Sequence, residues 1–191
     1  MARPRSFDEN KVLLAVRDHF WDAGYAATSL DDLMRVSSLG KGSLYAAFGD
    51  KHTLFLKALR SYGEEQQAAL RDHIDSAPRA VDALRMLIMS PTADTESASR
   101  GCLLVNAICE LAGTDPDLRT EATRAYESLT AVIIDLATRA QHEGDIPSTT
   151  DPLTLAREIL TIRHGLICMR RAGLDPAILS ATARSLADRL L

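Results

Sequence analysis

Residues 41–48 begin with side chains that suit the binding of an anion, namely Lys41, Gly42, Ser43 and Tyr45. In a helix, the first turn of such a segment has backbone N–H groups without partners and a partial positive charge, and both favour a phosphate. Lys41, Ser43 and Tyr45 can each add a contact to a phosphate oxygen, and Gly42 permits close approach. The pattern therefore predicts a helix N-terminus that contacts phosphate.

Neighbouring helices would position this segment. Apolar spacing predicts an amphipathic helix over residues 7–23, and Ser29 is placed to cap a short second helix. A third short helix follows over residues 41–48, and Lys51 and His52 open a fourth, where they could also contact phosphate. Two short helices joined by a tight turn after a longer helix form a helix-turn-helix module. The predicted anion is therefore the backbone of double-stranded DNA.

The rest of the chain also has helical apolar spacing, which predicts an all-α protein of about nine helices. We expect a helix-turn-helix DNA-binding domain over residues 1–50, a connecting helix over 51–76, and a helical ligand-binding and dimerisation domain over 77–191. The small polar segment 90–99 indicates a loop. The further helices are predicted over residues 79–89, 98–113, 115–144, 151–172 and 175–191.

The charge of the chain is divided unevenly. The formal net charge is −4, but residues 1–62 carry nine Lys and Arg against seven Asp and Glu, and residues 63–191 carry thirteen Arg against nineteen acidic residues. All four lysines fall in the first part. This segregation indicates an anion-binding segment joined to a different kind of domain.

Composition and motifs exclude several classes of protein. With 46% hydrophobic and 25% charged residues, the chain is globular rather than disordered, collagen-like or embedded in a membrane. No apolar run approaches the roughly 18 residues of a membrane span and no signal peptide is evident, so we expect a cytoplasmic location and no membrane partner. HExxH, P-loop, GxSxG and paired Glu-x-x-His motifs are absent from the sequence, so we expect no enzyme, cofactor or metal.

Residues 6–59 resemble the DNA-binding domain of the TetR family of bacterial transcriptional regulators over about 50 consecutive positions. Family members often have glycine at the position of Ser38 and serine or asparagine at that of Gly40. Because glycine is itself an acceptable helix N-cap, this departure concerns a detail of the turn. The residues that carry the resemblance include Gly24-Tyr25, Thr28-Ser29, Lys41-Gly42-Ser43-Leu44-Tyr45, Phe48, Lys51 and Leu54-Phe55.

The resemblance implies a homodimeric repressor whose two recognition helices enter successive major grooves of a palindromic operator. It also implies release by an unidentified small-molecule effector bound in the C-terminal domain. Arg3 and Arg5, before the first helix, either reach the minor groove or nearby phosphates or form a solvated tail. The expected DNA-contacting residues are Thr28, Ser29, Lys41, Gly42, Ser43, Tyr45, Lys51 and His52.

The C-terminal domain is expected to hold the effector and the dimer interface. Low aromatic content and several methionines favour a medium-sized apolar or amphipathic effector. The last two helices carry apolar stripes that suit a dimer interface, although the same stripes could complete the monomer core. The candidate effector-binding residues are Tyr62, Met86, Met89, Leu103, Ile108, Leu111, Tyr126 and His164. The candidate dimer residues are Leu153, Leu160, Gly165, Leu166, Met169, Ile178, Leu179 and Leu186.

Three cysteines leave an alternative open. Their odd number and the absence of CxxC spacing favour reduced thiols over a disulfide framework or a zinc site. Cys102 and Cys109 are seven residues apart on one predicted helix, and Cys102 lies near a helix start and beside Arg100, which favours a thiolate. The same DNA-binding dimer could therefore be a redox or electrophile sensor. His164 and Cys168, four residues apart, could offer two metal ligands.

Overall fold

Nine α-helices form the regular structure of residues 7–93 and 100–191, the parts of the chain that the computed structural model describes. The all-α fold with an N-terminal helix-turn-helix is thereby confirmed. Arg3, Arg5 and residues 94–99 of the predicted loop lie outside the described residues. No helix in the described ranges is long and apolar enough to cross a bilayer. The helices are α1 (Glu9–Ala23), α2 (Leu30–Ser37), α3 (Lys41–Phe48), α4 (Lys51–Ser76), α5 (Ala80–Met89), α6 (Leu103–Leu111), α7 (Pro116–His142), α8 (Pro152–Arg171) and α9 (Pro176–Leu190), with a 3-10 turn at Ser90–Thr92.

Local capping sets the bounds of α1. The Asp8 carboxylate accepts from the backbone N–H groups of Asn10 and Lys11 at 3.0 and 3.2 Å. Gly24 ends the helix with φ +82°, a conformation that glycine adopts without steric cost. Both signals are local in the sequence, so the end of α1 is predictable from it.

Helix α6 is shorter than its apolar pattern predicts. The pattern continues over residues 98–113, but the helix begins only at Leu103 because Gly101 has φ +72° and Cys102 is an extended N-cap. A Cβ on Gly101 would lie 3.3 Å from Arg171 Cδ of α8, so another helix approaches the chain closely at this break. The turn before α6 is thus fixed by tertiary packing.

Two buried apolar clusters organise the packing. The first joins α1, α2, α3 and the first half of α4, and it also includes Leu103 and Ala107 of α6 and Leu118 of α7. The second joins α5, α7, α8 and α9, and Leu70 and Ile74 from the second half of α4 pack against it. The helix-turn-helix module therefore shares its core with α6. The domain boundaries at residues 50 and 76 stay predictions.

Candidate nucleic-acid interface and internal cavity

Helix α3 is held on one side by apolar packing, which leaves its other side open. Leu44 and Phe48 expose only 0% and 4% of their surface. The Lys57 ammonium of α4 donates to the Phe48 carbonyl oxygen at 3.1 Å and so satisfies the C-terminal end of α3. The exposed residues of α3 are Lys41, Gly42, Ser43 and Ala46, and Tyr45 and Ala47 are half-buried.

The N-terminus of α3 has no side-chain cap. Gly40 is the N-cap residue, with φ −72° and ψ 156°, and the first turn contains no acidic residue. The Lys41 ammonium lies 5.9 Å from the centroid of the Tyr45 ring, so both groups occupy the same side of the helix. An anion here would meet open N–H groups, the positive end of the helix and an ammonium group. This arrangement suits a phosphate oxygen of DNA.

Carboxylates of the protein already cap the neighbouring helices α2 and α4. The Ser29 hydroxyl accepts from the Asp32 N–H and Asp32 accepts from the Ser29 N–H, both at 3.1 Å. Hydrogen bonds from Ser29 and then from Arg35 hold the pKa of the Asp32 carboxyl well below its usual value. At the start of α4 the Asp50 carboxylate accepts from the Thr53 N–H at 2.8 Å. These negative charges oppose a phosphate, so α3 has the most favourable N-terminus of the three.

Two predicted DNA contacts are used inside the protein instead. Thr28 is 1% exposed, and its hydroxyl donates to the Gly24 carbonyl oxygen at 2.6 Å. His52 Nε2 lies 2.8 Å from Asp115 Oδ2, which belongs to the C-terminal part of the chain. Each side chain thus has an internal partner: Thr28 is buried, whereas His52 keeps 32% of its side chain exposed, and their DNA contacts stay predictions.

A carboxylate of α6 holds the turn between α1 and α2. Glu110 Oε2 accepts from the Tyr25 N–H at 3.0 Å, and Glu110 Oε1 accepts from the Ala26 N–H at 2.7 Å. The half-buried Lys51 places its ammonium 4.3 Å from the centroid of the Tyr25 ring, at the same junction. Sequence reasoning missed Glu110, since residue spacing carries no signal for partners 84 and 85 positions apart.

The segment before α6 is attached to α1 as well. The Arg100 guanidinium lies 4.3 Å from the centroid of the Trp21 ring, and the Trp21 indole N–H donates to the Arg100 carbonyl oxygen at 3.2 Å. Arg100 also donates to the Asp18 carbonyl oxygen at 2.9 Å. Both ends of α6 are therefore anchored to the helix-turn-helix module.

A cavity of about 740 Å³ lies between α4, α5, α7 and α8. Its volume falls in the range of roughly 300–1,000 Å³ that is usual for small-molecule sites. Of the predicted effector-binding residues, Tyr62, Met86, Tyr126 and His164 line it. The Tyr126 and His164 rings meet edge to face with their centroids 5.2 Å apart.

The other four predicted effector-binding residues lie elsewhere. Leu103 is 2% exposed within the N-terminal core, and Leu111 packs against the same core. Met89 packs against the second core, and Ile108 is half-buried away from the cavity. They do not line this cavity, because helical spacing shows that a residue is inward-facing but not which cluster it meets. Their contact with an effector stays a prediction.

Arginines that the sequence analysis did not single out supply much of the polar lining. Arg60 and Arg124 both bind the Glu121 carboxylate. These interactions lower the pKa of Glu121, and the hydrogen bond from Arg60 has the largest effect. Arg163 of α8 also lines the cavity. Burial, and then the charge of Arg163, lowers the pKa of His164. The cavity thus combines apolar walls with positive charge.

The cysteines differ in position. Cys102 lines the cavity as the N-cap of α6, whereas Cys109 and Cys168 are exposed. Partial burial, and then the neighbouring Cys109 and Cys102, raise the pKa of the Cys168 thiol. Burial, followed by Cys102, also raises the pKa of Tyr62. A raised thiol pKa means less thiolate, which does not favour the sensor alternative at Cys168.

Within the described ranges, the only group of three side chains placed to hold a metal consists of His52, Asp115 and Asp117, and it leaves out His164 and Cys168. The ligand atoms of that group lie within 4.8 Å of one another. Because His52 and Asp115 already form a hydrogen-bonded pair and Asp117 is exposed, the group is explained by contact between α4 and α7.

Three candidate dimer residues are part of the monomer core. Leu160, Leu166 and Leu179 expose only 8%, 3% and 2% of their surface and belong to the second cluster. Because these side chains are already buried within the protomer, they are poorly placed to meet a second copy, and their part in a dimer interface stays a prediction.

The remaining dimer candidates lie on the outer face of α8 and α9. Leu153, Met169 and Ile178 are large apolar residues with 36%, 48% and 61% of their surface exposed. A Cβ on Gly165 would meet no atom within 4 Å, and Leu186 lines a shallow groove between the two helices. These five residues, called the α8–α9 face, offer apolar groups beside polar ones such as Arg157 and Glu158, and no other part of the described protomer covers the exposed Met169 and Ile178.

Two family models match the chain. The model described as bacterial regulatory proteins of the tetR family matches residues 12–58. The model described as the tetracyclin repressor-like C-terminal domain matches residues 80–186, which is more than half of the chain. The two matches cover the helix-turn-helix module and α5 to α9, respectively.

Curated relatives match over most of their length. The uncharacterized HTH-type transcriptional regulator YezE of Bacillus subtilis is 29% identical over 179 residues, 92% of each chain. The HTH-type transcriptional repressor ComR of Escherichia coli is 25% identical over 174 residues, which are 90% of this chain and 83% of ComR.

Solved structures share the same architecture. A cysteine mutant of the TetR family transcriptional regulator CifR, in complex with a 26-base-pair double-stranded operator DNA, has a TM-score of 0.84 at 29% identity and covers 97% of this chain and 98% of its own. A TetR family regulator from Cytophaga hutchinsonii has a TM-score of 0.87 at 22% identity over 97% and 96% of the two chains, which shows the fold alone.

Proposed function

The chain belongs to the TetR family of bacterial transcriptional regulators, which are not enzymes, and we propose that it represses transcription by binding a palindromic operator as a homodimer. A small molecule that enters the cavity would release it. The observation that carries the DNA-binding proposal is the N-terminus of α3, which has no side-chain cap and no acidic residue in its first turn. The N-termini of α2 and α4 both carry carboxylate caps.

The proposed interface consists of the exposed first turn of α3 with the flanking Lys51. Gly42 and Ser43 allow the duplex backbone to approach, and Lys41 and Tyr45 supply the contacts beside the open N–H groups. The CifR relative in its operator complex supports this function for the shared fold. The name of ComR, a transcriptional repressor, supports repression.

The α8–α9 face supports the homodimer. A palindromic operator has two-fold symmetry, and a dimer that presents the same face from each protomer has the matching symmetry. Met169 and Ile178 are among the largest exposed apolar side chains, and burying them against a second copy would remove that surface from water.

Helix α6 supports release by a ligand. Its N-terminal end contributes Cys102 and Leu104 to the cavity, and its C-terminal end carries Glu110, which holds the α1–α2 turn. A ligand that shifts α6 would therefore act directly on the helix-turn-helix module. The ligand must bind the DNA-free arrangement more tightly than the DNA-bound one, because only differential affinity shifts such an equilibrium.

Selection of binding sites from a random-sequence DNA duplex library tests the proposal. The purified protein should enrich a two-fold symmetric site whose half-sites are about one helical turn apart. Enrichment of an asymmetric site, or of none, would contradict the proposed dimer on a palindrome.

Variants of α3 then test the proposed interface on the selected site. Lys41→Ala combined with Tyr45→Ala should abolish binding in fluorescence anisotropy while leaving circular dichroism and oligomeric state unchanged. Arg71→Ala is the matched control. Arg71 is exposed on α4, and this substitution removes one positive charge at a position outside α3. Unchanged affinity of the double variant would show that DNA docks elsewhere.

A further inference from the structure

Arg163 of α8 presents one edge of its guanidinium group to the cavity. Its Nη1 donates to the Leu87 carbonyl oxygen at 3.1 Å and to the Ser90 hydroxyl. Among the described residues no acceptor bonds Nε or Nη2, and Arg163 lines the cavity, so these two atoms are left for a ligand. The Nε and Nη2 atoms form the fork that binds a carboxylate through two parallel hydrogen bonds.

Arg163 has no carboxylate partner in the described part of the chain. The carboxylates in the cavity lining are Glu64, which is exposed, and Glu121, which already binds Arg60 and Arg124. Burial lowers the pKa of Arg163, yet an arginine in a protein remains protonated at neutral pH. Among residues 7–93 and 100–191, Arg163 is thus a partly buried cation without a counter-ion, which is unfavourable, and an anion that enters the cavity relieves this cost.

The surroundings of Arg163 favour an anion with an apolar body. Tyr62 and Cys102 line the same cavity as Arg163 and add polar groups that carry no negative charge at neutral pH. The other walls include Leu70, Ile74, Met86 and Leu129, which cannot pair with a charge.

We propose that the effector is a carboxylic acid with an apolar body, and that its carboxylate binds the Nε and Nη2 edge of Arg163. This inference rests on the proposed role of the cavity as the effector site. A neutral ligand of the same shape would leave Arg163 without a counter-ion and would bind more weakly.

Pairs of ligands that differ only in charge test this proposal. The probes are the straight-chain acids from hexanoic to dodecanoic acid and 4-phenylbutanoic acid, each compared with its primary amide by calorimetric titration and thermal shift. We expect at least one acid to bind wild-type protein about tenfold or more tightly than its amide, as for a charge-assisted pair. In Arg163→Met the ratio should fall to about one, whereas Arg71→Met, with an exposed arginine outside the cavity, should keep the wild-type ratio.

Several outcomes would overturn the inference: no acid in the panel binds, the amides bind as well as the acids, or Arg163→Met keeps the preference. If Arg163→Met does not fold, Arg163→Lys keeps the charge but lacks the fork, and it should weaken acid binding without abolishing the preference. Release of the selected operator is measured separately. Acid binding without release would contradict the proposed function alone, and release by neutral compounds alone would contradict the carboxylate assignment alone.

Discussion

Gly24 and Glu110 form a contact that can be tested by substitution. Gly24 has φ +82° and ψ 170°, and an added Cβ would lie 3.0 Å from Glu110 Oε2. In Gly24→Ala the unfavourable backbone conformation costs about 1–3 kcal/mol. The methyl group would also displace the carboxylate from the N–H groups of Tyr25 and Ala26. Because these two charge-assisted hydrogen bonds are exposed, we expect them to contribute together about 1–2 kcal/mol to the free energy of unfolding. The expected destabilisation is therefore about 2–5 kcal/mol.

A double-mutant cycle separates the two contributions. In a Glu110→Ala background the hydrogen bonds are already lost, so Gly24→Ala should cost only the backbone part, about 1–3 kcal/mol. The two substitutions should thus destabilise together by about 1–2 kcal/mol less than the sum of their separate effects.

The assay is urea unfolding at fixed protein concentration, followed by circular dichroism. Gly144→Ala is the control, because Gly144 has φ +80° but no atom within 4 Å of an added Cβ, so its effect reports backbone strain alone. If the Gly24→Ala and Glu110→Ala effects add within about 0.5 kcal/mol, the added methyl group leaves the Glu110 hydrogen bonds intact and the reasoning fails.

Three further outcomes follow from the structure. Lys41→Ala removes one phosphate contact from each protomer, so the slope of log affinity against log salt should become shallower by about 1.8 for the dimer, and Arg71→Ala should leave it unchanged. Met169→Glu places a charge on the α8–α9 face and should yield monomers in analytical ultracentrifugation. The control Leu14→Glu, at an exposed leucine of α1, should stay dimeric. A dimeric Met169→Glu protein would show that the α8–α9 face is not the dimer interface. Burial raises the pKa of the Asp115 carboxyl, but hydrogen bonds from the Leu118 N–H and from His52 lower it by more. Because the pKa is lower in the folded protein than in the unfolded chain, Asp115 stabilises the fold fully above the usual value of 3.8. This stabilisation is lost as the pH falls through the lower pKa of the folded state. Acid titration of Asp115→Asn should lack this part of the stability change, and identical pH profiles would contradict the assignment.

Local signals made the helix-turn-helix module predictable. The predicted bounds of α3 agree with the structure because glycine flanks the helix on both sides and Leu44 and Phe48 mark its buried side. The open N-terminus follows from the same residues, since Gly40 has no side chain to cap it. Site features that depend on neighbouring positions in the chain can therefore be inferred from sequence.

Contacts between distant segments could not be inferred in this way. Leu103 and Leu160 have the same inward-facing pattern as true cavity or interface residues, and only the packing of helices assigns them to a core. Arg163 looks like one more surface charge on an amphipathic helix, and its importance comes from the wall of α5 and the 3-10 turn that encloses it. Glu110 is recognisable only once α6 lies against the α1–α2 turn.

The shared core has a consequence for exchanging parts between regulators. Leu103, Ala107 and Leu118 come from α6 and α7 but are at most 2% exposed in the N-terminal cluster. A chimera that joins residues 1–62 to a foreign effector domain would lack these three side chains and leave a void in the N-terminal core. Unless the foreign domain supplies side chains of similar volume, the void would destabilise the fold by several kcal/mol, roughly as for large-to-small core substitutions. Transplanting the DNA specificity of this protein therefore requires carrying α6 and the start of α7 along with residues 1–62.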